Sequence, residues 1–153
     1  MMYRTRLLAL SAALGALSTA ARADAPLMLI EAAVRLSGAG RDRSVEVATV
    51  ARAACGGDEV CAAWLVAHAI VESGLSREVE TCAVRGPAGE LGVWQRAARY
   101  APGGICRLGL VAQAVDAASR LRWCSGHGVD LAACWGGLRV ERRRELARAM
   151  GAP

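Results

Sequence analysis

Hydrophobic positions along the chain fall into blocks with helical rather than alternating spacing, and glycine separates the blocks. Leu27 to Leu36 is an apolar-rich stretch that stops at Ser37-Gly38-Ala39-Gly40. Ser44 is a candidate N-cap for a second helix, which sets Val45, Val47 and Val50 with Ala54 along one side. Gly56-Gly57 ends it, since glycine supplies the backbone freedom a helix C-terminus needs. Asp58 then caps a third helix that runs to about Ser73, with Trp64, Ile70 and Val71 as apolar bulk, and stops before Gly74. From Gly74 to Gly109 the pattern changes: seven glycines share that span with Pro87 and Pro102. Such density predicts an irregular or briefly β segment, of the kind that carries function in compact domains. Helical spacing resumes over Leu110 to Trp123 and breaks at Ser125-Gly126-His127-Gly128. It returns at Asp130, pauses at Gly136-Gly137 and closes with a last helix from Val140 to Met150. The expected fold is mainly α, one helical domain enclosing a glycine-rich excursion.

The first 23 residues stand apart from this pattern. Arg4 and Arg6 precede an apolar run from Leu7 to Leu17, and Ala21-Arg22-Ala23 has the small-x-small form of a signal-peptidase site. The run is shorter than the roughly 20 residues of a membrane span. We therefore expect residues 1–23 to be a cleaved signal peptide and 24–153 to form a single domain, periplasmic or secreted and without a stable membrane anchor. Six cysteines follow that segment: Cys55, Cys61, Cys82, Cys106, Cys124 and Cys134. An even count in an exported domain reads as three disulfides. The sequence does not choose among the possible pairings of six cysteines; sequential pairing is the first guess, because each successive pair brackets a glycine-containing connection. A zinc site is disfavoured: there is no Cys-x-x-Cys, and only His68 and His127 are available as imidazole ligands.

Charge adds little. All 19 basic residues are arginine, in keeping with the composition of a GC-rich genome. Loss of Arg4, Arg6 and Arg22 with the leader takes the formal net charge from +5 to +2. That is too mild to argue for nucleic acid. The one basic run, Arg142-Arg143-Arg144, reads as a solvated helix face.

One carboxylate stands out. Glu72 follows Val66, Ala67, Ala69, Ile70 and Val71 and falls in the last turn of its helix. Apolar surroundings and the negative end of the helix dipole both disfavour the ionised form. A carboxyl kept protonated near neutral pH can donate to a leaving oxygen. His68 lies four residues earlier on the same helix face and is expected to be a packed histidine.

Ile70-Val71-Glu72-Ser73-Gly74, followed by Gly89-Glu90-Leu91-Gly92-Val93-Trp94-Gln95, resembles the two leading motifs of the lysozyme-like soluble lytic transglycosylases. Ala118 to Trp123 and Asp130 to Gly137 are similar to that family's closing helices, so the resemblance spans about residues 60 to 140. It implies a lysozyme-like helical fold with Glu72 as catalytic acid. Ser73 would help position the glutamate or a sugar group. Gly89, Gly92 and Gln95 would shape the floor of a glycan cleft. Trp94 would offer a ring on which a sugar could stack, core filling being the alternative. Two departures are plain: Cys134 stands where the family has a tyrosine, and Trp135 where it has an asparagine. The stretch between Glu72 and Gly89 is also longer than is common in the family, and holds Cys82.

What the resemblance implies is cleavage of the bond between muramic acid and glucosamine in peptidoglycan, by one glutamate and without a cofactor or metal. Hydrolysis, in contrast, normally takes two carboxylates about 5 to 9 Å apart. Glu90, inside the glycine loop, is the candidate for the second. The expected partner is the glycan strand and the expected state a monomer. The alternatives are a hydrolytic muramidase on the same scaffold and a non-catalytic cell-wall binder.

Overall fold

A computed structural model describes residues 27–136 and 138–153; the signal-peptide reading therefore lies outside the described residues. Among the described residues, six α-helices and one 3-10 turn make up the regular structure. They are α1 (Leu27–Ser37), α2 (Arg41–Ala54), α3 (Glu59–Ser73), α4 (Arg77–Glu80), α5 (Ile105–Gly126), the turn Leu131–Ala133, and α6 (Val140–Ala149). No strand forms among the described residues; the glycine-rich excursion holds a single antiparallel bridge, Leu91 to Arg96. No helix of the described residues is long and apolar enough to cross a membrane.

Helix α3 is the axis of the domain and packs against α1, α2, α5 and α6. Its sequence explains this: Ala62 to Ala69 is buried without interruption, as a helix apolar on every side must be. The small alanines let neighbouring helices approach, while Trp64, Leu65 and Val66 fill the space between them. At its start the Asp58 carboxylate accepts from the Cys61 N–H at 3.0 Å, as the sequence predicts. At its end Gly74 takes a left-handed φ of 58°, and its N–H reaches Ile70 O. Leu75, also left-handed at φ 64°, turns the chain away, and the buried Arg43 donates to its carbonyl at 2.7 Å.

Two expectations are corrected at helix starts. Helix α2 begins at Arg41 with Gly40 as its N-cap; Ser44 lies inside it, its hydroxyl bonded back to Gly40 O. Helix α5 begins at Ile105 rather than Leu110, because a single turn precedes a break at Gly109 (φ 73°, ψ −174°).

The cysteines pair sequentially, as expected: Cys55–Cys61, Cys82–Cys106 and Cys124–Cys134. The first spans the α2–α3 turn, the second ties the end of α4 to the start of α5, and the third ties the end of α5 to the 3-10 turn. Three disulfides suit an oxidising compartment. The second and third also tether the stretches that line one cavity with the end of α3, around residues 86–95 and 134–136.

Candidate functional site

The last turn of α3 opens into a cavity of about 530 Å³. Glu72 lines it, with Pro87, Ala88, Glu90 and Gln95 from the glycine-rich excursion and Trp135, Leu138, Arg139 and Arg143 from the closing segment. A second concavity, about 650 Å³, surrounds the Cys82–Cys106 disulfide and is lined by no carboxylate or histidine. Size does not decide between them; acid–base chemistry is available only in the first.

Glu72 keeps 19% of its side chain exposed and pairs through Oε1 with the Arg143 guanidinium. Arg143 is 3% exposed and also donates to Ala132 O at 3.0 Å and Gly136 O at 2.9 Å. One buried arginine thus ties the carboxylate to the segment that closes the cleft. This corrects the reading of residues 142–144 as a solvated face. Arg142 and Arg144 do lie toward solvent, in ion pairs with Glu145 and with Glu141 and Asp130. Arg143 falls on the opposite, apolar stripe with Leu146, Ala147 and Met150. That spacing of three, four and seven residues was a usable signal for its burial.

The glycine-rich wall is built from two turns. Gly86-Pro87-Ala88-Gly89 closes through Gly89 N–H to Gly86 O at 2.9 Å, with proline at the position whose φ it presets. The Glu90 Oε2 accepts from the Ala88 N–H at 2.9 Å, so the carboxylate braces its own turn. Gly92-Val93-Trp94-Gln95 forms the second turn, closed by the Leu91–Arg96 bridge. The Gln95 amide donates back to Gly92 O at 3.0 Å. Gly86 is a site residue that sequence reasoning missed: a Cβ there would stand 2.2 Å from Gln95 Oε1 and 2.3 Å from Glu90 Oε2.

Gln113 of α5 locks this wall in place. It is buried, accepts from the Val93 N–H at 2.8 Å and donates to Glu80 O at 2.7 Å. Gly92 has φ 73°, and a Cβ on it would meet Gln113 Oε1 at 2.5 Å. Gly92→Ala is therefore expected to destabilise the fold by about 2–3 kcal/mol, combining left-handed strain with a disturbed hydrogen bond. Denaturant unfolding checks this; a loss below about 0.5 kcal/mol would show that the turn is not locked as described.

Of the residues singled out from sequence, Glu72, Glu90 and Gln95 meet in one cavity; Gly89 and Gly92 do not line it but lie in the turns that carry Glu90 and Gln95. Ser73 does not join them: its hydroxyl donates to Ala69 O and accepts from the Leu75 N–H, securing the helix exit. Trp94 is corrected too. It is 1% exposed, its indole N–H donates to Leu65 O at 2.8 Å, and it offers no ring face to the cleft. The aromatic residue at the cleft is Trp135, whose indole N–H donates to Trp94 O at 2.7 Å.

Behind Trp135 lies His68, fully buried, its ring 4.2 Å from the Trp135 ring. Its Nε2 pairs with Leu131 O at 2.9 Å, which makes Nε2 the protonated nitrogen of a neutral imidazole; it does not touch Glu72. Burial drives the imidazole down from 6.5 to about 3; the Arg143 charge adds to this and the Leu131 hydrogen bond opposes it. The unfolded chain takes up this proton near pH 6.5 and the folded one does not, so stability is lost as pH falls below 6.5 toward 3. The His68 share at pH 5 is about 2 kcal/mol. Unfolding at pH 7.5 and 5 should show that much more loss in the wild type than in His68→Gln; equal losses would contradict a buried neutral histidine.

Compared with known proteins, the chain matches no family model, no curated protein and no solved structure at a significant level.

Proposed function

We propose that this domain is exported through its N-terminal segment and, in the periplasm or outside the cell, cleaves peptidoglycan glycan strands as a lytic transglycosylase of lysozyme-like architecture. The observation that supports the reading is convergence. Glu72 of the first block that carries the resemblance, Glu90 and Gln95 of the second, and Trp135 and Gly136 of the third line one cleft, to which Ala118 to Trp123 of that third block adds nothing. The chemistry needs one carboxyl. With Arg143 at Oε1, Oε2 is the oxygen that passes a proton to the glycosidic oxygen as the bond to the anomeric carbon breaks. The same oxygen then takes the proton of the muramic acid 6-hydroxyl as that group closes on the anomeric carbon. The product is an anhydro sugar, no water is consumed, and Glu72 regains its proton.

Two other readings each have an observation in their favour. Glu90 lines the same cleft, which a two-carboxylate hydrolase requires, although one of its oxygens is engaged by its own turn. The Glu72–Arg143 pair, together with the commitment of Cys134 to a disulfide, suits a glycan binder that performs no chemistry. Incubating the disulfide-bonded protein with purified sacculi separates all three. Soluble fragments without new reducing ends support the transglycosylase. New reducing ends that vanish in Glu90→Gln identify the hydrolase. Co-sedimentation without release identifies the binder.

A further inference from the structure

The cleft holds two arginines in different situations. Arg143 is buried and its charge is met by Glu72. Arg139 is exposed, and among the described residues no carboxylate lies within ion-pair distance of it. The one hydrogen bond of its guanidinium there runs from Nη1 to Val71 O at 2.8 Å, at the C-terminal turn of α3, one residue before Glu72. A guanidinium has five N–H donors, so most of this fork is left for another acceptor. The backbone at Arg139 is left-handed, φ 61°, an uncommon state for a residue other than glycine, and it leads directly into α6. Beside it Leu138 is 84% exposed on the cleft rim. A cationic fork beside an exposed apolar side chain suits an anionic group carried on a small alkyl arm.

We propose that Arg139 is a specificity-determining residue that binds a carboxylate substituent of the glycan, and so separates acidic, muramic-type strands from neutral ones. The inference rests on the glycan reading above. The carboxylate belongs either to the lactyl ether of the sugar or to a peptide extending from it. Arg139 is not a catalytic residue in this scheme: it fixes the substrate sugar relative to Glu72, while its bond to Val71 O anchors the guanidinium.

The test is binding by the disulfide-bonded protein at about 50 mM salt, where charge is weakly screened. The probes are a denuded glucosamine–muramic acid tetrasaccharide with free lactyl carboxylates, its carboxamide derivative, and the peptide-bearing form. The wild type should bind one of the acidic forms about tenfold more tightly than the carboxamide, as a charge-assisted bidentate contact requires. Preference for the denuded acid assigns the lactyl group; preference for the peptide-bearing form alone assigns the peptide. In Arg139→Gln the preference should shrink to about twofold or less, the loss falling mainly on the acidic forms. Arg139→Gly, which suits the left-handed backbone, guards against a folding defect. A purely capping role would lower stability without touching the acid-to-carboxamide ratio. Equal wild-type affinity for all three probes, or an undiminished preference in both variants, overturns the proposal and leaves the glycan reading standing. No binding of any probe overturns both.

Discussion

Glu72→Gln is expected to lower release of soluble fragments from peptidoglycan by 10²- to 10⁴-fold, the usual contribution of a positioned acid–base group. The substitution keeps the size of the side chain and keeps an acceptor for Arg143, so the fold should survive it. A loss of about 1–2 kcal/mol is expected, because a charge-assisted hydrogen bond becomes a neutral one. The two effects are separable: activity falls by orders of magnitude while the unfolding transition moves only slightly. A folded Glu72→Gln protein retaining a tenth or more of wild-type release would remove Glu72 from the chemistry.

Arg143→Met is the second large effect, and it falls on stability. The guanidinium meets Glu72 and two backbone carbonyls, Ala132 and Gly136, from a nearly sealed position. Methionine fills much of the volume but leaves a partly buried carboxylate and a buried carbonyl without partners. Removing one member of such a pair costs about 3–5 kcal/mol. Adding Glu72→Gln to the Arg143→Met background should then cost less than it does in the wild type, since the carboxylate is no longer paired. Strict additivity in that double-mutant cycle would contradict the coupling read from the structure. Because the same arginine holds the 3-10 turn and Gly136, loss of Arg143 should also loosen the segment that presents Trp135 and Arg139.

The legible and illegible parts of the molecule divide on a physical line. Helix α3 could be read end to end because its signals are local: an aspartate cap at Asp58, an unbroken apolar run and a left-handed glycine at Gly74. The cysteine count left the disulfide pairing open; the sequential guess matches the structure because each pairing spans a short or glycine-bearing connection rather than a distant one. The turns that hold Gly89, Gly92 and Gln95 were legible because turn chemistry is written in adjacent residues, whereas a cleft role for them came only from the family resemblance. What escaped were side-chain partnerships across the fold. Nothing near Trp94 or Trp135 says which ring fills the core and which reaches the cleft; that choice is made by α3, through Leu65 O, and by the His68 ring. Arg43 and Gln113 likewise look like surface residues until the carbonyls of Leu75 and Glu80 are brought to them. The sequence argument for Glu72 counted apolar surroundings and the helix dipole; it missed the arginine, 71 residues away, that pairs with the carboxylate. Arg143 was the exception among these, since its place on the stripe with Leu146 and Met150 was visible and was outweighed by the neighbouring arginines.

The central claim, that one carboxyl cuts the glycan without water, is tested most directly by mass spectrometry of the soluble products released from purified peptidoglycan by the disulfide-bonded protein. Anhydro-muropeptides from the wild type and none from Glu72→Gln are the predicted result; reducing-end products, or no product from a folded wild-type protein, would contradict it.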